Sequence, residues 1–378
     1  MAHIRSIFFN HLPLIKDRKS KRVELIAKVI KSGLYFDGPQ NKILEAKLLR
    51  MLMKKRAPGL RRGYITTLAS GHDALLFALS ALKLKKDDEI IFPVNSYPTA
   101  FPAALSGATL VACDVDENGQ IDIDKFLKKI TKKTRAAIIV HLYGLTTDVA
   151  RIKTICQDKK IAMIEDCAQS LGSRFKGQFL GSYGTISCFS FYPTKNLGGL
   201  GDGGAIWTNN KSHYNYFLKA KSYGEEVRYD SEFIAGHSRL PEIQAAILNY
   251  YTLTLSKAFK KRKSLYQLYQ KELKSLAPHV RVLVSHANSD PVPHILVIDA
   301  EKRDRLAVYL KKKNIPILIH YPKPVHLVKA FSFLGGEIGD FPMAEKLSKR
   351  ILSLPFHPNL REKDVSYICD TIKAFYGN

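Results

Sequence analysis

Residues 191–204 read FYPTKNLGGLGDGG, a lysine set between an aromatic run and a loop made largely of glycine. A lysine at the end of an apolar run is seldom buried without a task, because its ammonium loses hydration there. The same desolvation lowers the pKa of the amine and makes Lys195 a candidate nucleophile. The glycines after it let backbone come close to a bound ring. They contain a GxGxxG-like spacing, but a dinucleotide fingerprint needs strand, glycines and helix in that order. Here the strand-like GGAIWTNN follows, so that reading is set aside.

Two other apolar runs end in residues that could do chemistry. After IAMI come Glu165, Asp166 and Gln169. A single carboxylate there reads equally well as half of a structural salt bridge. After YITTLA comes Ser70, then Gly71 and His72 opening an apolar helix, where unpaired N–H groups and the helix dipole suit a phosphate. By itself Ser70 is no more than an N-cap. Taken together, one cofactor accounts for all three run ends. Pyridoxal phosphate needs a lysine for its imine, a carboxylate to keep the pyridine nitrogen protonated as an electron sink, and a helix start for its phosphate.

The elements that must position these residues alternate along the chain. RVELIAKVIKSG and NKILEAKLLRMLMKK carry helical patterns, and SGHDALLFALSALKL is a helix apolar on nearly every side. Short apolar runs follow: DEIIFPV, TLVACDVD, RAAIIVHLYG, KIAMIEDCA, TISCFSFY and GGAIWTNN, with DVARIKTICQDKK helical between two of them. This pattern predicts an α/β fold with a mostly parallel sheet covered on both faces. From about residue 245, PEIQAAILNYYTLTLSKAFKKRKSLYQLYQKEL predicts a long helical stretch. It leads into a smaller αβ region containing HILVIDA, RDRLAVYLKKKNI and PILIHYP. We expect a large domain over 1–245 and a small C-terminal α/β domain over 246–378.

Composition narrows the function classes. A chain of 378 residues that is 46% hydrophobic can bury a large core. Its five cysteines, at 113, 156, 167, 188 and 369, are scattered and fall in no metal-ligand spacing, so reduced thiols and no metal are expected. The net charge of +25 suggests an anionic partner, and KKRAPGLRR (54–62) and KAFKKRK (257–263) concentrate it. The runs match no nucleic-acid-binding signature and read as solvated surface, so no nucleic-acid partner is expected. No apolar run reaches the roughly 18 residues of a membrane span, and the start carries no signal-like core. A cytoplasmic location and no membrane partner are expected.

The residues also carry a resemblance. SGLYFDGP (32–39), SGHDALLFAL, HLYG, IEDCAQSLG, SFYPTKNLGGLGDGG, SRLPEIQAAIL (238–248), IHYPKPVHL (319–327) and LSLPFHPNL (352–360) occur in this order. The set resembles the DegT/DnrJ/EryC1/StrS family of sugar aminotransferases, whose fold is the type I fold of pyridoxal-phosphate-dependent transferases. The resemblance implies Lys195 as the Schiff-base lysine and proton shuttle, Asp166 as partner of the pyridine nitrogen and Gln169 at the ring hydroxyl. It implies Tyr97 stacked on the ring, in a stretch one residue shorter than usual, and Gly71, His72 and Ser190 at the phosphate. His72 stands where the family has threonine. His237 stands where the family has an asparagine that reaches the partner subunit's phosphate, which implies a homodimer with composite sites.

The implied reaction passes through pyridoxamine phosphate, with L-glutamate as donor and a nucleotide-diphosphate keto sugar as acceptor. Such chemistry serves surface-polysaccharide, including lipopolysaccharide, or secondary-metabolite biosynthesis. GGLGDGG and IHYPKPVH are similar to the C-3 enzymes, which implies a 3-keto-6-deoxyhexose with Tyr192, His320 and Tyr321 lining the sugar pocket. Rival readings are a C-4 aminotransferase and a non-catalytic regulatory relative. Dehydratases of the family replace the lysine with histidine, and Lys195 argues against that class.

Overall fold

The computed structural model of the chain describes residues 19–53 and 63–377. The basic run at 54–62 and the first residues lie outside the described part. Two helices, α1 (Lys19–Ser32) and α2 (Pro39–Leu52), precede the first strand, β1 (Tyr64–Leu68). Helix α3 (Gly71–Ser80), β2 (Glu89–Pro93), α4 (Tyr97–Leu105), β3 (Thr109–Cys113) and α5 (Ile123–Lys129) follow. Then come β4 (Thr134–Val140), α6 (Val149–Asp158), β5 (Ala162–Asp166), β6 (Ile186–Ser190), β7 (Gly204–Thr208) and α7 (Lys211–Ala220).

These strands form one seven-stranded sheet in the order β1-β7-β6-β5-β4-β2-β3. Only β7 runs antiparallel to its neighbours, β1 and β6. Ala136, Ile138 and Val140 of β4 enter one core and Ala137 and Ile139 the other. Both faces are therefore apolar, which is why the strands read as continuous runs rather than as alternation.

The stretch expected to be one long helix is divided into α8 (Glu242–Tyr251) and α9 (Leu255–Leu273) by a 3₁₀ turn at Thr252–Thr254. Thr252 Oγ1 donates to the Asn249 carbonyl at 2.6 Å, a local bond that competes with the helical ladder. Ala245, Ile247 and Leu248 of α8 pack in one core of the large sheet. Leu255 and Phe259, in the first turns of α9, stay with that core. Further along the helix, Leu265, Tyr269 and Leu273 pack in the other core, together with the C-terminal elements. The boundary expected after residue 245 falls within α8. Beyond it, β8 (Val280–Val282), β9 (Leu296–Ala300) and β10 (Ile351–Leu354) form an antiparallel three-stranded sheet. It is covered by α10 (Arg303–Lys312), α11 (Pro342–Arg350) and α12 (Glu362–Tyr376). PILIHYP makes no regular strand and meets β10 at a single bridge, Leu318 to Ser353. Pro316 and Pro322 remove the donors that a longer ladder would need.

One buried carboxylate fixes how α2 meets α8. Helix α2 starts behind Gly38, which has no side chain to cap it. Glu242 does so instead, accepting the N–H groups of Gln40 at 2.8 Å and Asn41 at 2.9 Å and the Asn41 amide at 2.6 Å. Glu242→Ala leaves those donors unpaired in a buried place, and we expect it to destabilise the fold by about 2–3 kcal/mol. Denaturant unfolding of the variant against the parent measures this, and a loss under about 0.5 kcal/mol would show the cap to be dispensable.

Candidate active site

The carboxyl ends of the parallel strands lie along one edge of the sheet, where an open α/β sheet gathers its functional groups. Consecutive residues on a strand point to opposite faces, so Glu165 and Asp166 part company at the end of β5. Glu165 is fully buried and accepts the N–H groups of Gly181, Tyr183 and Gly184 at 2.8, 2.7 and 2.6 Å. His141 Nε2 lies 3.0 Å from it. Burial works to raise its pKa, yet His141 and the backbone donors hold it below the ordinary carboxylate range. Ligand atoms of His141, Glu165 and Cys167 come within 4.8 Å of one another, but the Glu165 carboxylate is committed to protein donors.

Asp166 faces the other way. Its Oδ2 accepts the Thr99 hydroxyl at 2.7 Å and its Oδ1 the Ala168 N–H at 3.0 Å. Lys195 follows β6, in a turn closed by its N–H on the Tyr192 carbonyl at 2.8 Å. Burial lowers its amine to about 8, and the Asp166 charge pulls the other way. Gln169 Oε1 accepts the Tyr143 N–H at 2.7 Å, which leaves the amide NH₂ to donate.

His320 and Tyr321 arrive from the C-terminal region. Burial, then the Lys195 charge, lowers the His320 imidazole to about 4, so it is neutral at physiological pH. Its Nδ1 pairs with Ser353 Oγ at 2.8 Å. Burial, then the Asp166 charge, raises the Tyr321 hydroxyl, while a bond with Gln169 opposes the shift. The Tyr97 ring stands 5.9 Å from that of Tyr321, at the start of α4.

The helix start expected to hold a phosphate is α3. Ser70 caps it by accepting the Asp73 N–H at 3.0 Å. Glycine is needed here for close approach. A Cβ on Gly71 would come within 2.8 Å of Ser190 Cβ, and one on Gly204 within 2.3 Å of the Ser70 carbonyl. Gly71 and Ser190 are thus adjacent, while the His72 side chain is exposed.

The structure brings together Lys195, Asp166, Gln169, Tyr97, His320 and Tyr321, with Gly71 beside Ser190. Tyr192 is exposed on the turn that carries Lys195. His237 stands apart, its ring stacked on Tyr223 at 5.0 Å and its Nε2 accepting from Arg239 at 2.6 Å. Sequence reasoning assigned no role to Thr99, which pins Asp166, or to Tyr143. The Tyr143 N–H meets Gln169, and its hydroxyl donates to the His320 carbonyl. A threonine in the first turn of α4 is a weak signal. The HLYG motif was a better one, and Tyr143 indeed takes the left-handed backbone at φ 64°.

The sequence profile of the DegT/DnrJ/EryC1/StrS aminotransferase family matches residues 16–373. The chain is 35% identical, over 92% of its length and 93% of the relative, to the erythromycin biosynthesis sensory transduction protein EryC1 of Saccharopolyspora erythraea. It is 34% identical, over 93% of its length and 90% of the relative, to dTDP-3-amino-3,4,6-trideoxy-alpha-D-glucose transaminase of Streptomyces venezuelae. Among solved structures, S. venezuelae DesV in complex with ketimine intermediate superposes with a TM-score of 0.89 at 32% identity, covering 95% of each chain.

An amine lowered to about 8 has a consequence in solution. In cofactor-free protein, the rate of condensation with pyridoxal phosphate should rise with pH and level off with a midpoint near 8. Asp166→Asn removes the charge that favours the ammonium and should move that midpoint lower. Stopped-flow absorbance measures both; a midpoint near 10, as for an exposed lysine, would contradict the desolvation.

Proposed function

The chain belongs to the DegT/DnrJ/EryC1/StrS aminotransferase family, and on that premise we propose that it moves the amino group of L-glutamate to a nucleotide-linked 3-keto-6-deoxyhexose. It is an aminotransferase that uses pyridoxal 5′-phosphate. The observation that carries the proposal is the convergence of a desolvated lysine, a pinned carboxylate and the small-domain pair His320 and Tyr321.

The residues fit the cofactor. Pyridoxal phosphate, when bound, supplies an electron sink for bond breaking at the substrate carbon and carries the amino group between the half-reactions as pyridoxamine phosphate. Lys195 would hold it, with Asp166 at the ring nitrogen, the Gln169 amide at the ring hydroxyl and Tyr97 against the ring face. Gly71, the His72 backbone and Ser190 would hold the phosphate, at a helix start suited to an anion. With its amine at about 8, Lys195 Nζ is partly deprotonated near neutral pH. It can therefore accept a proton at one carbon and return it at another. The fixed Thr99 and Ala168 donors keep the Asp166 carboxylate oriented toward the same site.

His320 and Tyr321, with Tyr192, would orient the hexose. Neutral His320 offers a hydrogen bond without a second positive charge beside Lys195. The GGLGDGG and IHYPKPVH motifs favour C-3, and the S. venezuelae relative is named for a 3-amino sugar. A C-4 acceptor is the alternative. The name of the S. erythraea relative bears on a regulatory role, but the retained Lys195, Asp166 and Gln169 support turnover. Use in surface-polysaccharide or secondary-metabolite synthesis belongs to the same proposal, as does a cytoplasmic location. No helix among the described residues is long and apolar enough to cross a membrane.

Incubation with glutamate and matched 3-keto and 4-keto nucleotide sugars should give a 3-amino product by NMR, and Lys195→Ala should give none. Amine found only at C-4 would overturn the regiochemistry; turnover by Lys195→Ala would overturn the lysine's role.

We extend the proposal to a homodimer. His237 is exposed, and since its Nε2 accepts from Arg239, its proton sits on Nδ1, free to donate. It would donate to the phosphate in the partner's site. His237→Ala should weaken cofactor binding about tenfold or more, the size of one bond to a charged group, without lowering the melting temperature of the cofactor-free protein. An unchanged dissociation constant would remove His237 from the site.

A further inference from the structure

The basic run KAFKKRK reads as solvated surface, yet one of its cations is buried. Arg262, on α9, is 1% exposed. Its Nη1 donates to the carbonyls of Pro293 and His294 at 3.2 and 3.1 Å, and its guanidinium lies 5.5 Å from the centre of the Phe356 ring. Burial lowers it to about 9, so it remains charged at neutral pH. A planar guanidinium suits such fixed acceptors better than the mobile ammonium of a lysine.

The segment it grips, 292–294, is held from the other side by the site. The Val292 carbonyl accepts the Asn196 amide at 3.0 Å, and Asn196 directly follows Lys195. The same amide donates to the Leu171 carbonyl, also at 3.0 Å. The Val292 N–H donates to Ser173 Oγ at 2.9 Å. The His294 N–H donates to the Tyr143 carbonyl at 2.8 Å. Tyr143 in turn bonds Gln169 through its N–H and the His320 carbonyl through its hydroxyl. Asn196 and Arg262 line one small cavity of about 20 Å³, so the two ends of this chain of contacts are close.

We propose that Arg262 is a positioning residue: by clamping segment 292–294 it fixes Lys195 through Asn196, and Gln169 and His320 through Tyr143. The segment acts as a strap with the helix of the small domain at one end and the reactive amine at the other. Arg262 touches neither cofactor nor sugar. Its effect is therefore on where the amine sits, and through that on the amine's titration and on the rate of proton transfer. The inference rests on Lys195 being the lysine that carries the cofactor.

The test uses holoenzyme of the parent, Arg262→Lys, Arg262→Met and Asn196→Ala. For each, the pH titration of the bound cofactor's visible absorption, kcat and KM for the keto sugar, and thermal unfolding are measured. Folded Arg262→Met should shift the absorption midpoint by about 0.5 unit or more and lower kcat about tenfold or more, with KM changed by less than about threefold. Arg262→Lys, which keeps the charge, should recover part of both. A parental midpoint and kcat in folded Arg262→Met would overturn the proposal and leave Arg262 as a stability element alone. If Arg262→Met does not fold, Asn196→Ala decides. It cuts the strap at the lysine end with Arg262 in place, so a shifted midpoint supports the strap and an unshifted one overturns it. Lys195→Ala separates the two readings: an absorption titration that survives in it defeats the lysine assignment rather than the strap.

Discussion

The arrangement depends on a carboxylate that does no chemistry. Glu165 has no solvent exposure, and an ionised carboxylate in such a place is costly unless its lone pairs are filled. They are filled by three backbone N–H groups from the segment joining β5 to β6, and by His141 at the end of β4. One side chain therefore fixes the ends of three neighbouring strands relative to one another. Because the residue after it must point to the opposite face, the same clamp aims Asp166 at the site. The Cys167 N–H adds to the tie by donating to the Cys188 carbonyl of β6 at 2.8 Å. Lys195, a few residues past β6, inherits its position from that frame.

Much of this was legible in the sequence because strand ends announce themselves. Continuous apolar runs stop where backbone leaves the core, and the residues just beyond are forced to one edge of the sheet. Lys195 and Asp166 stand at two such stops and feel one another's charge, and Gly71, at a third, is placed beside Ser190. The alternation of runs and helices gave the α/β class on the same physical ground, since a parallel sheet needs helical crossovers and burial on both faces. Within the large sheet β7 alone runs antiparallel, and its sequence GGAIWTNN follows the glycine loop without the intervening helix that a parallel crossover needs.

What escaped sequence reasoning was whatever depends on a contact distant along the chain. Thr99 looks like any helix-start threonine until Asp166, 67 residues later, is folded against it. Arg262 looks like one more positive charge in a basic run until its turn of α9 is placed on 293–294. The helix break at Thr252–Thr254 was missed for a related reason. Both sides of it carry helical periodicity, and Leu255 after the turn packs in the same core as Leu248 before it, so the apolar pattern does not mark the break. Periodicity reports that a face is buried but not against what.

The division of labour that results has a physical logic. The groups proposed to face the cofactor come from the rigid sheet and from helix starts sewn to it, where a displacement would disturb the core on both faces. The groups proposed to face the sugar, His320 and Tyr321, come from a stretch that meets the small sheet at a single bridge and is otherwise tied by Tyr143 and Ser353. Such a stretch tolerates change at modest cost, because little regular hydrogen bonding depends on it. Sugar specificity can then vary while the lysine, its carboxylate and the phosphate cradle stay in place. The link between the two halves must be stiff, though, or the amine and the sugar carbon would not keep register. A guanidinium buried among carbonyls, reaching toward the residue after the lysine, provides stiffness of that kind without entering the pocket whose shape has to vary.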